Sequence, residues 1–535
     1  MTNISLVGDV PRPSPGIASE QSEILSKRYL KAAFGSLCII VLMVALDATS
    51  LAVALPVITK ALEGSAVEAF WSGTSFLLAS TIFQPILGSL SDVFGRKLLI
   101  DLSLLLFLIG SVVIATSSYF TTVLIGRTVQ GAGGGGIICV TALIVVDKIP
   151  LQERGNWLSL LGAVFSVGNV SGPLLGGALA KETLWRWIFW INLPLIGIGG
   201  ISIAIFLKVH KRPGSFVKKL NELDWVGMGL FLTSTTGFLI PISRGGIEYP
   251  WSSWHTLIPL LLCTAGLVAL AIHQEYVAKR PFIHTDVFKN RSAAIILLLT
   301  VLYGLILSAV LFYLPLYFEA VKNMSPIMAG VAIFPWTLTL APSAMVTGIV
   351  ISKTRRYRWA NWLGWCFSVV GMSLLVLLKE DTPTIVWIVV SLVGGAGMGT
   401  LYPAMMLGAQ ASSSVENQAY ATNIFTFLRA LGQTFGVTIG GIVFQSMLER
   451  KMLSNPLLSE RAREYSKDAV GLVQIIKAMP DIELKVQLKE SFVYALTYIW
   501  VVVAVLSGVA LIASLFIKGY DINSPSELHQ STEGN

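Results

Sequence analysis

The sequence predicts an all-α polytopic membrane protein of about fourteen transmembrane helices: two six-helix halves with two extra helices between them. Three observations carry this expectation. Of 535 residues, 54% are hydrophobic and only 13% are charged, against roughly 25% charged in soluble globular chains. Apolar runs of the roughly 20 residues needed to cross about 30 Å of hydrocarbon recur along nearly the whole chain. Glycines also recur at matched spacings in two distant segments.

So little charge cannot wrap a soluble body of this size, and the apolar surface must face lipid. The formal charge of +8 does not describe a nucleic-acid binder, because Lys and Arg fall in short segments between apolar runs. Cys38, Cys139, Cys263 and Cys366 lie far apart inside apolar runs with no CxxC pair. They read as small buried apolar residues, neither zinc ligands nor a disulfide framework. The five histidines are scattered without an HExxH set, and no Walker A or Gly-x-Ser-x-Gly motif appears. No metal, cofactor or enzymatic activity is expected.

Residues 1–32, polar and Pro-rich at their start, read as a disordered cytosolic tail rather than a cleavable signal. The N-terminal half, 33–208, holds spans near 33–56, 70–90, 98–117, 121–145, 157–180 and 187–207. Region 209–291 holds two additional spans, near 224–242 and 256–274, with the basic loops KVHKRPGSFVKK and AKRPFIHTDVFKNR. The C-terminal half, 292–517, holds spans near 292–313, 327–351, 361–378, 385–407, 421–446 and 491–517, with an exterior loop at 447–490. A cytosolic tail, 518–535, closes the chain. With the ends inside, interior segments hold 22 Lys and Arg and the short exterior loops hold 6, the 447–490 loop adding eight outside. The positive-inside rule places both termini in the cytosol.

The two halves repeat at glycine resolution. Gly168, Gly172, Gly176 and Gly177 match the spacing of Gly432, Gly436, Gly440 and Gly441, and GAGGGG at 131–136 faces GGAGMG at 394–399. Gly88, Asp92, Gly95 and Arg96 share their offsets with Gly348, Ser352, Arg355 and Arg356. Glycine every fourth residue clears a helix face for a neighbouring backbone. Ordinary tight packing explains any one of these glycines; agreement in three places points to parallel transporter halves with substrate handled between them.

Four motifs then resemble the major facilitator superfamily, specifically its fourteen-span drug:proton antiporters, over nearly the whole chain. They are Gly88-x3-Asp92-x2-Gly95-Arg96-Lys97, Arg127-x2-Gln130-Gly131-x-Gly133, Gly168-x3-Gly172-Pro173-x2-Gly176-Gly177, and Leu46-Asp47-x-Thr49 with Ala54-Leu55-Pro56. Ala52 and Val53 depart from the pattern, standing where many relatives have an Asn. FWSGTSFLLASTIFQP, WRWIFWINLP and YPWSSW are similar to fungal members that export toxins, drugs or secondary metabolites. The resemblance implies a monomeric, proton-coupled exporter of small organic molecules in the plasma membrane, the vacuolar membrane being the alternative. A proton-coupled importer, such as one for a siderophore, is the alternative function.

A charged side chain inside the bilayer costs about 2.5–3.5 kcal/mol or more, so each one needs a reason. Asp47 and Arg127 lie well inside spans at depths an Arg side chain can bridge. Asp47 is a candidate proton carrier partnered by Arg127, and a static ion pair is the competing reading. Gln130, one turn on, is a candidate for binding substrate or the pair. Arg429 has no acid in its own span and, with Trp336, Tyr402 and Phe425, is a candidate for the substrate cavity; plain packing is the alternative for these aromatics. Gly88, Asp92, Gly95, Arg96 and Lys97 read as a gate whose Asp92 pairs with an Arg or caps a helix, although membrane anchoring alone accounts for Arg96 and Lys97. Gly168, Gly172, Pro173, Gly176 and Gly177 read as a bendable, close-packed seam; Pro173 removes one backbone hydrogen bond.

Overall fold

The computed structural model of the chain describes residues 15–181, 183–207, 215–245, 249–466, 469–480, 482–520 and 522. Most of the expected C-terminal tail lies outside the described residues. Fourteen long helices dominate: α1 Pro15–Ala61, α2 Ala66–Phe94, α3 Arg96–Ala115, α4 Phe120–Lys148, α5 Leu151–Leu179 and α6 Asn192–Phe206, then α7 Trp225–Arg244 and α8 Trp254–Ile272. The remainder are α9 Arg291–Ala320, α10 Phe334–Thr354, α11 Arg358–Leu375, α12 Thr384–Ala411, α13 Gln418–Leu453 and α14 Ile482–Ser514. No named β-strand forms among the described residues. Helix α1 begins at Pro15, well before the apolar segment and inside the stretch expected as a tail.

Among the described residues, thirteen helical segments are long and apolar enough to cross a membrane. Helix α11 is the one expected span outside that set. Its 18 residues still reach about 27 Å. Its polar atoms turn inward, with Asn361 and Ser368 fully buried, while Leu363, Phe367 and Val370 form an exposed apolar face. Helix α3 shows the same inversion of a soluble helix: Leu98, Leu102, Leu105 and Ile109 face out while Ser103 and Ser111 are buried. Lipid solvates the leucines, and the bundle must satisfy the hydroxyls.

The same packing is built twice. In the first six helices α4 lies against α2 and α3, and α1 against α5 and α6; in the last six α12 lies against α10 and α11, and α9 against α13 and α14. The glycines make these approaches close. A Cβ on Gly168 would sit 2.5 Å from the Cβ of Ala45, and one on Gly176 would meet the Ser50 carbonyl oxygen of α1. Gly432 and Gly436 press in the same way on the carbonyls of Val301 and Leu305 in α9. The repeat extends to backbone conformation: Gly95 has φ +100° and Arg355, its counterpart, φ +58°, a left-handed region that glycine enters freely and arginine does not.

Gly176→Val is therefore expected to lower stability by at least about 1–3 kcal/mol, the usual cost of overpacking. Gly162→Ala, on the same helix with only a 3.6 Å neighbour in Tyr402, serves as control and should not lower it, since alanine is the better helix former. Thermal unfolding of the purified protein in detergent checks both.

The halves meet through α5 against α10 and through α2 and α4 against α13. Helices α7 and α8 pack on each other, and α7 also touches α2. Phe231 of α7 stacks edge-on with Phe427 of α13 at 5.4 Å, so the extra pair lies over the junction of α2 and α13. Asp224 holds one end of that pair together, accepting from the Gly227 N–H at 2.8 Å and from Gln274 Nε2 at 2.6 Å, with His273 Nε2 3.0 Å away. The 447–490 segment is not an open loop: it contains helices Ala462–Ser466 and Ala469–Ala478. Leu472, Val473 and Ile476 of this segment are buried in the core.

Candidate substrate and proton site

Asp47 is 2% exposed, and both its carboxylate oxygens are engaged. Arg127 Nη1 lies 2.6 Å from Oδ2. Oδ1 accepts from Gln130 Nε2 at 2.9 Å and from Asn192 Nδ2 at 2.7 Å. Gln130 also accepts from Arg127 at 2.7 Å and donates to Ser111 Oγ at 2.9 Å. Arg127 Nε donates to the Ser72 carbonyl at 3.2 Å, and the guanidinium lies 4.2 Å from the centre of the Phe76 ring. Five helices thus converge on one acid: α1 with Asp47, α2 with Ser72 and Phe76, α3 with Ser111, α4 with Arg127 and Gln130, and α6 with Asn192.

Asn192, Ser111 and Ser72 are not among the site residues expected from the sequence. Asn192 had a usable signal, an amide inside an apolar run, because a polar side chain in lipid needs a partner as a charge does. Ser72 acts through its carbonyl, which leaves no trace in residue type.

A second cluster lies at the end of the bundle where the short basic loops gather. Arg96 pairs with Asp92 at 2.6 Å and with Asp147 at 2.8 Å, and donates to Ser91 Oγ. Gly95 sits between α2 and α3, and its N–H returns to the Ser91 carbonyl at 3.0 Å. Lys97 stands apart, donating to the Ala204 carbonyl at 2.9 Å. Gly88 faces the other half: a Cβ there would lie 2.5 Å from Asn423 Oδ1 of α13. Asn423 in turn donates to the Pro85 carbonyl at 3.3 Å, and Cys139 Sγ lies 3.1 Å from its Oδ1.

Arg154 joins this end although its sequence position suggests only a loop charge. It is 7% exposed. It donates to the Ile149 and Val146 carbonyls at 2.7 and 2.8 Å, and across the junction to Gln418 at 2.7 Å and Gln410 at 3.3 Å. At the next residue of α5, Gly155 meets Gly348 of α10 backbone to backbone. The two halves are bolted together at the basic end on both sides of the bundle.

Arg429, Tyr402 and Phe425 form a third group. The Arg429 guanidinium lies 6.0 Å from the Tyr402 ring centre, and Tyr402 meets Phe425 edge-on at 6.0 Å. Trp336 is separate from them. It is fully buried with its indole against Gly394, and its carbonyl oxygen lies where a Cβ on Gly395 would go. Pro173 lies inside α5, at 3.3 Å from a Cβ placed on Gly330.

A glycine-paired double bundle, with a buried acid–arginine network in its first half and an Asp–Gly–Arg turn at the basic end, has a counterpart among known families. The family model described as Major Facilitator Superfamily matches residues 37–437. The chain belongs to the major facilitator superfamily. It is 60% identical to "MFS transporter L2" of Phoma sp., covering 96% of this chain and 87% of that protein. It is 31% identical to "Efflux pump FUS6" of Gibberella moniliformis, covering 95% and 91%. The fold resembles that of the proton:xylose symporter XylE, with a TM-score of 0.60 at 14% identity and coverage of 95% and 99%. The transporter is therefore a multi-pass membrane protein that binds small-molecule substrates, and not an enzyme.

Proposed function

We propose that this transporter exports small organic molecules in exchange for protons, by alternating access between its two halves. The observation that carries the reading is the Asp47 network: one buried carboxylate, balanced by one arginine, with every other contact a neutral donor. Such a site has an alternative arrangement ready. When Asp47 takes a proton, Arg127 keeps the Gln130 amide oxygen, the Ser72 carbonyl and the Phe76 ring. Arg127 keeps these partners when its counter-charge is neutralised, so protonation re-sorts the contacts of five helices and leaves the cation with acceptors. Relatives named efflux pumps support outward transport. The excess of Lys and Arg at the basic end supports a cytosolic location for that end, and the resemblance to fungal exporters supports residence in the plasma membrane, the vacuolar membrane being the alternative. The resemblance further supports transport of drugs, toxins or secondary metabolites by a monomer.

Inside-out vesicles carrying the transporter test this. With an acidic lumen they should accumulate fluorescent apolar compounds from a mixed panel, and a protonophore should abolish the accumulation. Vesicles that instead lose preloaded compound when the lumen is acidified would show symport, and the importer reading would replace this one.

A further inference from the structure

Arg429 differs from the other deeply buried arginines. Arg127 has a carboxylate, Arg96 has two, and Arg154 has carbonyl and amide oxygens. Arg429 is only 7% exposed, and its Nε is buried without a hydrogen-bond partner. Among the described residues its guanidinium has no ion pair, and its one ring contact is Tyr402. Tyr303 of α9, 2% exposed, and Tyr402 of α12 both lie within electrostatic reach of the guanidinium. Neither phenol makes a hydrogen bond among the described residues.

An arginine offers five donors and no acceptor, and a phenol offers one donor more. The guanidinium thus lies over the Tyr402 ring, and α9 packs at Gly304, next to Tyr303, on the Arg429 backbone, with no acceptor charge to meet the cation among the described residues. An unpaired cation at this depth marks a functional site, since its insertion has a standing cost. The surroundings are aromatic: Phe425 is edge-on to Tyr402, whose ring lies 3.6 Å from a Cβ placed on Gly162 of the opposite half. Tyr402 thus stands at the junction that must open and close as the halves move.

We propose that Arg429, with Tyr303 and Tyr402, is an anion anchor, and that the transported class is organic acids with an aromatic or broadly apolar body. The proposal rests on the export reading for its biological sense, and specifies the substrate class of that site. The anionic group accepts from the guanidinium and the two phenols, and the ring system lies along Tyr402 and Phe425. Neutral analogues leave the guanidinium without a counter-charge and bind more weakly.

The experiment is binding to the purified full-length protein in detergent, which needs neither a gradient nor a transport direction. The probes are aromatic carboxylates of one to three rings, each paired with its uncharged primary amide, with chloride and phosphate as inorganic controls. At least one carboxylate should bind about tenfold or more tightly than its amide, the range expected for a charged hydrogen-bonded pair. Arg429→Gln should bring that carboxylate to the level of its amide while leaving amide affinity unchanged. Arg429→Lys, which keeps the charge, should retain part of the preference and shows that the position tolerates replacement. The proposal is overturned if no carboxylate outbinds its amide, if Arg429→Gln keeps the preference, or if chloride or phosphate displaces the carboxylate at equal concentration. Loss of proton-driven export with the preference intact would sink the export reading alone.

Discussion

Asp47→Asn is expected to abolish proton-driven accumulation in vesicles while leaving gradient-independent exchange of substrate measurable. The substitution preserves size and removes the titratable group. The new amide oxygen can still accept from Gln130 and Asn192, which both donate to Oδ1. The amide nitrogen then faces Arg127 Nη1, where Oδ2 stood at 2.6 Å, so two donors oppose each other. Breaking a buried ion pair by removing one partner costs about 3–5 kcal/mol, and the yield of folded protein should fall. Vesicles must therefore be matched for protein amount. The comparison of two activities separates the roles: a purely structural pair loses both in proportion, and a coupling acid loses only the driven one. If the variant still concentrates substrate against its gradient when protons drive it, Asp47 is not the coupling site.

Arg96→Ala should slow transport about ten- to a hundredfold without keeping the protein from its membrane. Arg96 binds Asp92 on α2 and Asp147 near the end of α4, and supports Ser91. A hydrogen bond to a charged group contributes about 1.5–3 kcal/mol, and each 1.4 kcal/mol is a tenfold change in an equilibrium. The cluster holds the ends of α2 and α4 that present Gly88, Pro85 and Cys139 to Asn423 of α13, so its loss shifts the balance between the conformation joined at the basic end and its alternative by up to this factor. Asp147→Asn should give a smaller effect in the same direction, because Asp92 still holds Arg96. Turnover measured against surface protein decides the matter. Normal turnover in Arg96→Ala would reduce the cluster to membrane anchoring.

The charged half of the Asp47 network is legible in the sequence because an acid and a base inside apolar runs are anomalies. Its neutral half is not. Asn192 lies 145 residues from Asp47, and serines and amides occur in many spans without consequence. Arg154 shows the opposite limit. Its position after Lys148 suits a basic loop, yet α5 begins at Leu151 and carries Arg154 into the junction beside Gln410 and Gln418. Charge counting treats such a residue as solvated; only its neighbours show that it is a bridge. Asp147 was likewise invisible as a partner of Arg96, 51 residues away.

Composition and spacing alone determined that this chain lives in lipid, that it is helical, and that its two ends repeat one another. These are local or periodic properties: a span needs apolar length, and a close helix contact needs glycine every fourth residue. The tertiary structure alone decided which polar atoms meet. Partner choice depends on the depth and rotation of each helix about its axis, and lipid-facing residues leave both nearly free. Packing sets them. The seams of α5 on α1 and α13 on α9 turn the polar faces inward, and so give Asp47 three side-chain donors while leaving Arg429 without an acid among the described residues.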